Sequence, residues 1–129
     1  MWKKQVFLLL LIISSMMLGA CSPMEIFDEA HNGKTIALKT GETFEINLEG
    51  NPTTGYTWEV ETAPDPAVLD LSGEIDYKSS SAKVGAGGVF VFPYQAVGPG
   101  ETTLRLIYHR PWEEDEEPLE LYELTVQIE

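Results

Sequence analysis

The chain has little of what reactive chemistry draws on, with one cysteine and two histidines in 129 residues. A single Cys excludes an intramolecular disulfide framework and any multi-cysteine zinc or iron–sulfur cage. Basic charge is also scarce: eight Lys and Arg stand against 21 Asp and Glu, a formal net charge of −13. Phosphate binding needs a basic footprint, so nucleic acid is not an expected partner. Long apolar runs are missing too. The strict run Val6–Ile13 is about half of the ~20 residues a bilayer crossing takes, and no stretch beyond the first twenty residues keeps a helical period. At this length one domain is expected, since the modal domain has roughly 100–150 residues.

What is present falls into two unlike parts. Lys3 and Lys4, the apolar run and the small-residue exit Leu18-Gly19-Ala20-Cys21 describe a secretory signal rather than a spanning helix. This exit resembles the lipobox of bacterial lipoproteins. The resemblance implies cleavage before Cys21, lipid on its sulfur, and a mature chain that begins there. The expected location follows: export across the inner membrane and a lipid anchor at the cell envelope, on its periplasmic or cell-surface side. Residues 1–20 take both N-terminal lysines with them and leave six basic against 21 acidic residues, a formal −15. Residues 21–33 read as the lipidated Cys and a polar linker leading into the first strand.

From residue 34 onward the pattern is β. Lys34–Lys39, Glu42–Leu48, Tyr56–Val60, Thr102–Tyr108 and Leu119–Ile128 alternate apolar and polar residues. Val68–Leu71 and Glu74–Lys78 are shorter candidates around Ser72-Gly73. Val89–Val97 is mostly apolar, and Pro93 within it predicts an edge strand or a bulge, because proline brings no ladder donor. A second bulge is expected near Tyr122. Seven to eight short strands at this spacing predict an all-β, immunoglobulin-like antiparallel β-sandwich spanning 34–129.

Three connections stand out. Asn51-Pro52-Thr53-Thr54-Gly55-Tyr56 combines a fixed φ at Pro52, a permissive Gly55 and local hydrogen-bonding side chains, which predicts a stiff loop with Thr53 and Thr54 at its tip. Ser79–Gly88 is long and poor in side chains, with flexibility expected at its serine end and Gly85-Ala86-Gly87-Gly88 allowing another backbone to come close. No Lys-Ser pair or helix follows these glycines, so they do not read as a phosphate cradle. His109-Arg110-Pro111-Trp112 places a Trp where its own sheet cannot readily bury it. The run Glu113–Glu117 lacks the Asp/Asn/Gly spacing of a calcium loop and reads as solvated. Taken singly, each loop is an ordinary connection. In immunoglobulin order they are the BC, DE and FG loops, which can meet at one end of the sandwich.

Taken together and in this order, NPTTGY-x-W (Asn51–Trp58), GAGG (Gly85–Gly88) and RPW (Arg110–Trp112) resemble the chagasin family of cysteine protease inhibitors. The resemblance covers residues 34–129 and implies a sandwich whose three loops wedge into the active-site cleft of papain-like peptidases. By matching motif, Thr53 and Thr54 approach the catalytic Cys–His pair and the Gly85–Gly88 loop lies along the non-primed side. Arg110 and Trp112 pack on the primed side, with Trp112 against aromatic surface. Glu113–Glu117 matches no motif.

The residues themselves argue against an enzyme. The lipobox resemblance commits Cys21 to lipid, Thr54 has no evident base, and nothing singles out a carboxylate pair among the acids. No metal or cofactor is expected, and the chain should act as a monomer. The competing reading is an envelope-anchored β-sandwich that binds carbohydrate or another surface protein through the same loops.

Overall fold

The computed structural model describes residues 23–129. Nine strands form two sheets: β1 (Glu25–Phe27), β2 (Thr35–Leu38), β3 (Thr43–Gly50), β4 (Thr57–Thr62), β5 (Leu69–Leu71), β6 (Asp76–Ser79), β7 (Gly88–Ala96), β8 (Gly100–His109) and β9 (Glu120–Ile128). One sheet runs β1-β3-β7-β5, with β6 also paired to β7, and the other runs β2-β9-β8-β4. Alternation decides which side chains point inward. Phe44, Ile46 and Leu48 of β3 sit opposite Tyr94, Phe92 and Phe90 of β7, and all six are buried. Across the sandwich Leu104, Leu106 and Tyr108 of β8 meet Leu124, Tyr122 and their neighbours on β9. This inner layer carries the fold without any cross-link, each fully buried large side chain contributing about 1.5–3 kcal/mol.

The all-β sandwich expected from the sequence is present, with nine strands where seven to eight were expected and four further departures. First, residues 25–33 are part of the fold rather than a linker. Phe27 is buried and packs edge-on against Phe44 at a centroid distance of 5.3 Å. Asp28 caps a 3-10 turn over Glu29–His31. The Asn32 side chain then bridges to β9, donating to the Leu121 carbonyl (2.9 Å) and accepting from the Glu123 amide (2.9 Å). A strand of three residues is too short for alternation to announce it.

Second, the pairing is not wholly antiparallel, since β1 joins β3 and β2 joins β9 in parallel. Third, Pro93 is neither on an edge nor at a bulge. It lies opposite Glu45 inside β7, and its carbonyl accepts the Ser72 amide at 3.0 Å. The amide that proline lacks would face this same side, where β5 has ended at Leu71 and β6 has not begun until Asp76. The break between two short neighbours absorbs the missing donor. Fourth, β8 and β9 stay in one register from Gly100↔Ile128 to Tyr108↔Glu120, so no bulge occurs at Tyr122. The irregularity falls in β4, between Val60 and Thr62.

Strand direction positions the loops. β3 ends at Gly50 opposite the first residue of β7, Gly88, which also pairs with Ser79 at the end of β6. β4 begins at Thr57 opposite His109 at the end of β8. All three unusual connections therefore leave the sandwich at one pole.

Candidate functional site

The first loop is built on Asn51. Its side-chain oxygen accepts from the Thr53 amide (3.1 Å) and the Thr53 hydroxyl (2.6 Å), which makes it the cap of a one-turn 3-10 segment over Pro52–Thr54. The Thr54 hydroxyl returns to the Asn51 carbonyl at 2.6 Å, and the Gly55 amide donates to the Pro52 carbonyl at 3.0 Å. The turn closes at Gly55, whose φ of +88° is the left-handed region. Pro52, Thr53 and Thr54 remain exposed at the tip.

Asn51 also ties this loop to its surroundings. Its amide donates to the Tyr108 hydroxyl (2.8 Å), and its side-chain NH₂ donates to the Gly85 carbonyl (2.9 Å). The second loop is thereby fastened to the first. Its serine end is tied back to the glycines, the Ser80 amide and hydroxyl both donating to the Gly87 carbonyl, at 3.0 and 2.5 Å. The GAGG motif divides into two parts. Gly85 is exposed and Ala86 half-buried near the tip, while Gly88 is the first residue of β7. A Cβ on Gly88 would run into the Lys78 carbonyl and the Tyr77 ring, so its glycine is a packing requirement of the β6–β7 pair.

The third loop closes the set through Arg110. Its Nε donates to the Thr54 carbonyl at 3.2 Å, one terminal nitrogen pairs with Glu113 at 3.2 Å, and its guanidinium carbon lies 4.5 Å from the Tyr56 ring centre. Tyr56 in turn leans on Tyr108 (5.3 Å), which stacks on Trp58 (5.1 Å). Tyr56 is thus half-buried beneath the edge rather than at its tip. Pro111 and Trp112 are exposed, Trp112 to 67%. The Trp112 ring edge lies directly over Gly55, where a Cβ would come within 2.5 Å of it. Gly55 therefore serves twice, once for its φ and once as the floor under Trp112.

The structure brings Asn51–Tyr56, Gly85–Gly88 and Arg110–Trp112 to one edge, as the order of the motifs implies. Cys21 lies outside the described residues. Three contributors were not singled out in the sequence: Tyr108, Ser80 and Glu113. Of these Tyr108 was accessible to sequence reasoning, since it is the last inward position before His109-Arg110 and faces Trp58 across β4 and β8. Ser80 and Glu113 act through local geometry that no spacing rule announces. On the outer face below the edge, His109 Nε2 lies 3.0 Å from Glu59.

A rigid sandwich that presents a cross-braced edge of three loops, with an exposed Trp and two exposed Thr, is a binding module shaped for a cleft. The chain belongs to the chagasin family of peptidase inhibitors, whose family description, "Chagasin family peptidase inhibitor I42", matches residues 37–126. Among similar proteins are chagasin of Trypanosoma cruzi, 34% identical over 65% of this chain and 79% of the relative, and amoebiasin-1 of Entamoeba histolytica, 36% identical over 65% and 80%. The crystal structure of a cysteine protease inhibitor from Entamoeba histolytica superposes with a TM-score of 0.75 at 29% identity, covering 86% of this chain and all of the other.

Proposed function

We propose that this chain inhibits papain-like cysteine peptidases by lodging the three-loop edge in their active-site cleft. The observation that carries the reading is the bracing of all three loops through Asn51 and Arg110. A papain-like site is a groove with a thiolate–imidazolium pair that acts on extended peptide. The Pro52–Thr54 turn offers that pair no extended segment. The carbonyls of Asn51, Pro52 and Thr54 are each engaged by a donor within the edge, so cleavage would first require the turn to unwind. Loops already held in their bound shape lose little entropy on docking. An edge of this kind covers about 800 Å² on its partner, the usual size for protease–inhibitor pairs.

The family is one of inhibitors, and the chain is accordingly read as a blocker rather than a catalyst. Thr53 and Thr54 stand nearest the catalytic pair, the Gly85–Ala86 tip follows the non-primed side, and Trp112 packs on the primed side. Arg110 acts chiefly as the strut that carries Trp112, because its Nε and one terminal nitrogen are committed to the Thr54 carbonyl and Glu113. Titration of active papain with the purified domain tests the reading. Stoichiometric loss of peptidase activity supports it, while full activity at micromolar inhibitor favours the alternative of a loop-based binder of carbohydrate or another surface protein. Trp112→Ala should weaken Ki about 30-fold, the equivalent of about 2 kcal/mol for an interface anchor. An unchanged Ki would remove Trp112 from the contact.

The same reading places the inhibitor at an envelope membrane, anchored by lipid on Cys21. Mass spectrometry of the membrane-extracted protein should show an acylated N-terminal Cys21. The Cys21→Ser variant should keep its signal segment and lose the acyl mass.

A further inference from the structure

Just below the three-loop edge, where the third loop returns into β9, the residues Glu29, Asn32, Trp58, Glu120, Leu121 and Tyr122 line an open pocket of about 260 Å³. Strand register sets its place. Trp58, Tyr108 and Glu120 are paired in one row across the second sheet, one step before His109 and the third loop. Tyr122 points inward, so alternation gives Glu120 an inward position too, an unusual place for an acid. Glu29 belongs to the 3-10 turn that follows β1, and Asn32 fastens that turn to β9.

The polar groups of the pocket are unequally engaged. Trp58 donates its indole N–H to the Glu49 carbonyl at 3.0 Å, and Asn32 uses both ends of its amide on β9. One Glu29 oxygen accepts the Glu49 amide at 2.5 Å. What remains is acceptor: the second Glu29 oxygen, both oxygens of Glu120 and the Tyr122 hydroxyl. Tyr122 is 1% exposed and its Oη has no hydrogen-bond partner. The charges that bear on its phenol are those of Asp28 and Glu29, so its polar end is turned towards the 3-10 turn. Among the described residues neither Glu29 nor Glu120 pairs with a basic side chain: His31 faces Asp28, and Lys34 enters no ion pair.

Acceptors in this arrangement match a cation that carries several N–H groups. An anion would meet two like charges. A metal ion is a poor match, because among the described residues no three acidic, His or Cys side chains converge, and calcium takes six to eight oxygens. The volume lies below the roughly 300–1,000 Å³ of small-molecule sites and suits a single side chain. Trp58 adds an aromatic wall, which also favours a cation.

We propose that this pocket receives a lysine or arginine side chain from the rim of the bound peptidase, beside the third loop. The proposal rests on the inhibitory reading given above and adds a discrete specificity contact to it. Position selects the source: a groove that takes up the three loops brings its rim against the row next to them. The exposed acids Glu114–Glu117 draw basic surface to the same side.

Two measurements test this, on variants whose melting curves show them folded. In the first, the isotopically labelled protein is titrated with N-acetylarginine amide and with N-acetylcitrulline amide, its uncharged counterpart, while the Trp58 indole and Asn32 side-chain resonances are followed. Saturable shifts with the arginine compound alone are expected. They should weaken at least fivefold in Glu29→Gln/Glu120→Gln, and weaken in Tyr122→Phe. An equal response to both compounds, or to neither, assigns the pocket to ordered water and overturns the proposal. In the second, papain variants with a single lysine added at successive positions around the cleft rim are titrated with each inhibitor. At one group of neighbouring positions the lysine should tighten Ki at least fivefold for the parent and not for Glu29→Gln/Glu120→Gln. Glu116→Gln/Glu117→Gln removes the same charge outside the pocket and should keep the gain. No such position, or a gain lost equally in both double variants, overturns the pocket as a peptidase contact and leaves inhibition standing. Failure of the parent to inhibit any papain overturns the inhibitory reading and this contact with it, while the arginine titration still reports the chemistry of the pocket.

Discussion

Asn51 concentrates more of the edge than any other side chain. One amide group caps the Pro52–Thr54 turn, holds the Thr53 hydroxyl and reaches the Gly85 carbonyl. Asn51→Ala removes all three contacts at once. Loss of a cap costs about 1 kcal/mol, so the melting temperature should fall by a few degrees while inhibition falls at least tenfold. Asn51→Asp keeps the cap and loses only the donor to Gly85. Its Ki should lie between those of Asn51→Ala and the parent, and a Ki equal to the parent's would show that the tie to the second loop does not matter for binding.

Tyr94 and Tyr122 make a different residue-scale case. Both are buried, and neither hydroxyl has a protein hydrogen-bond partner. Burial, reinforced by Asp70, pushes the Tyr94 phenol up to about 12 from its ordinary 10. Burial, with Asp28 and Glu29, raises Tyr122 as well. A raised folded-state pKa means that the unfolded chain releases its proton first. The stability involved is complete below pH 10 and is lost as pH climbs from 10 towards 12. Tyr94→Phe should leave stability at pH 7 equal or slightly higher, because it removes an unpaired hydroxyl. It should also flatten the alkaline decline measured by denaturant melts. A slope unchanged from the parent would assign that decline to other groups.

At the scale of elements, the first loop shows how much depends on one glycine. Gly55→Ala meets two obstacles, the left-handed backbone and the ring of Trp112. The backbone cost is about 1 kcal/mol, which the core can absorb, while the displaced Trp112 should report itself directly. Its fluorescence should change and Ki should rise with little loss of fold. If Trp112 emission and Ki stay at parental values, the ring does not rest on Gly55 in solution.

Elements also divide what sequence could convey from what it could not. Long alternating strands such as β3, β8 and β9 were legible because their inner positions are all large and apolar. β1 was hidden, since three residues give no period and only Phe27 betrays a core contact. Pro93 misled for a sound reason: the rule that confines proline to edges assumes neighbours of full length, and here two short neighbours leave a gap opposite it. Asn51, Gly55 and Trp112 could be picked out by residue type, but their mutual contacts depend on loops distant in sequence. The Arg110–Glu113 pair was masked by the acidic run to which Glu113 belongs.

For the whole molecule the dominant quantity is charge. The domain is strongly acidic, and Glu114–Glu117 lie exposed beside the third loop. Association with a peptidase whose cleft is rimmed by basic residues should therefore slow as salt rises, since screening shortens the reach of the field to about 8 Å at physiological ionic strength. Stopped-flow association rates at low and high salt measure this. A rate independent of salt would mean that the acidic run keeps the protein soluble without guiding it.

The last strand adds a practical consequence. β9 finishes beside β2 at the base, where the Thr40 amide and hydroxyl both donate to the Glu129 carbonyl, each at 2.9 Å. Both ends of the folded domain therefore emerge away from the three loops. A purification handle or fluorescent reporter joined at either end leaves the working edge uncovered, and the domain can be coupled to a bead by its base as a capture reagent for active peptidases.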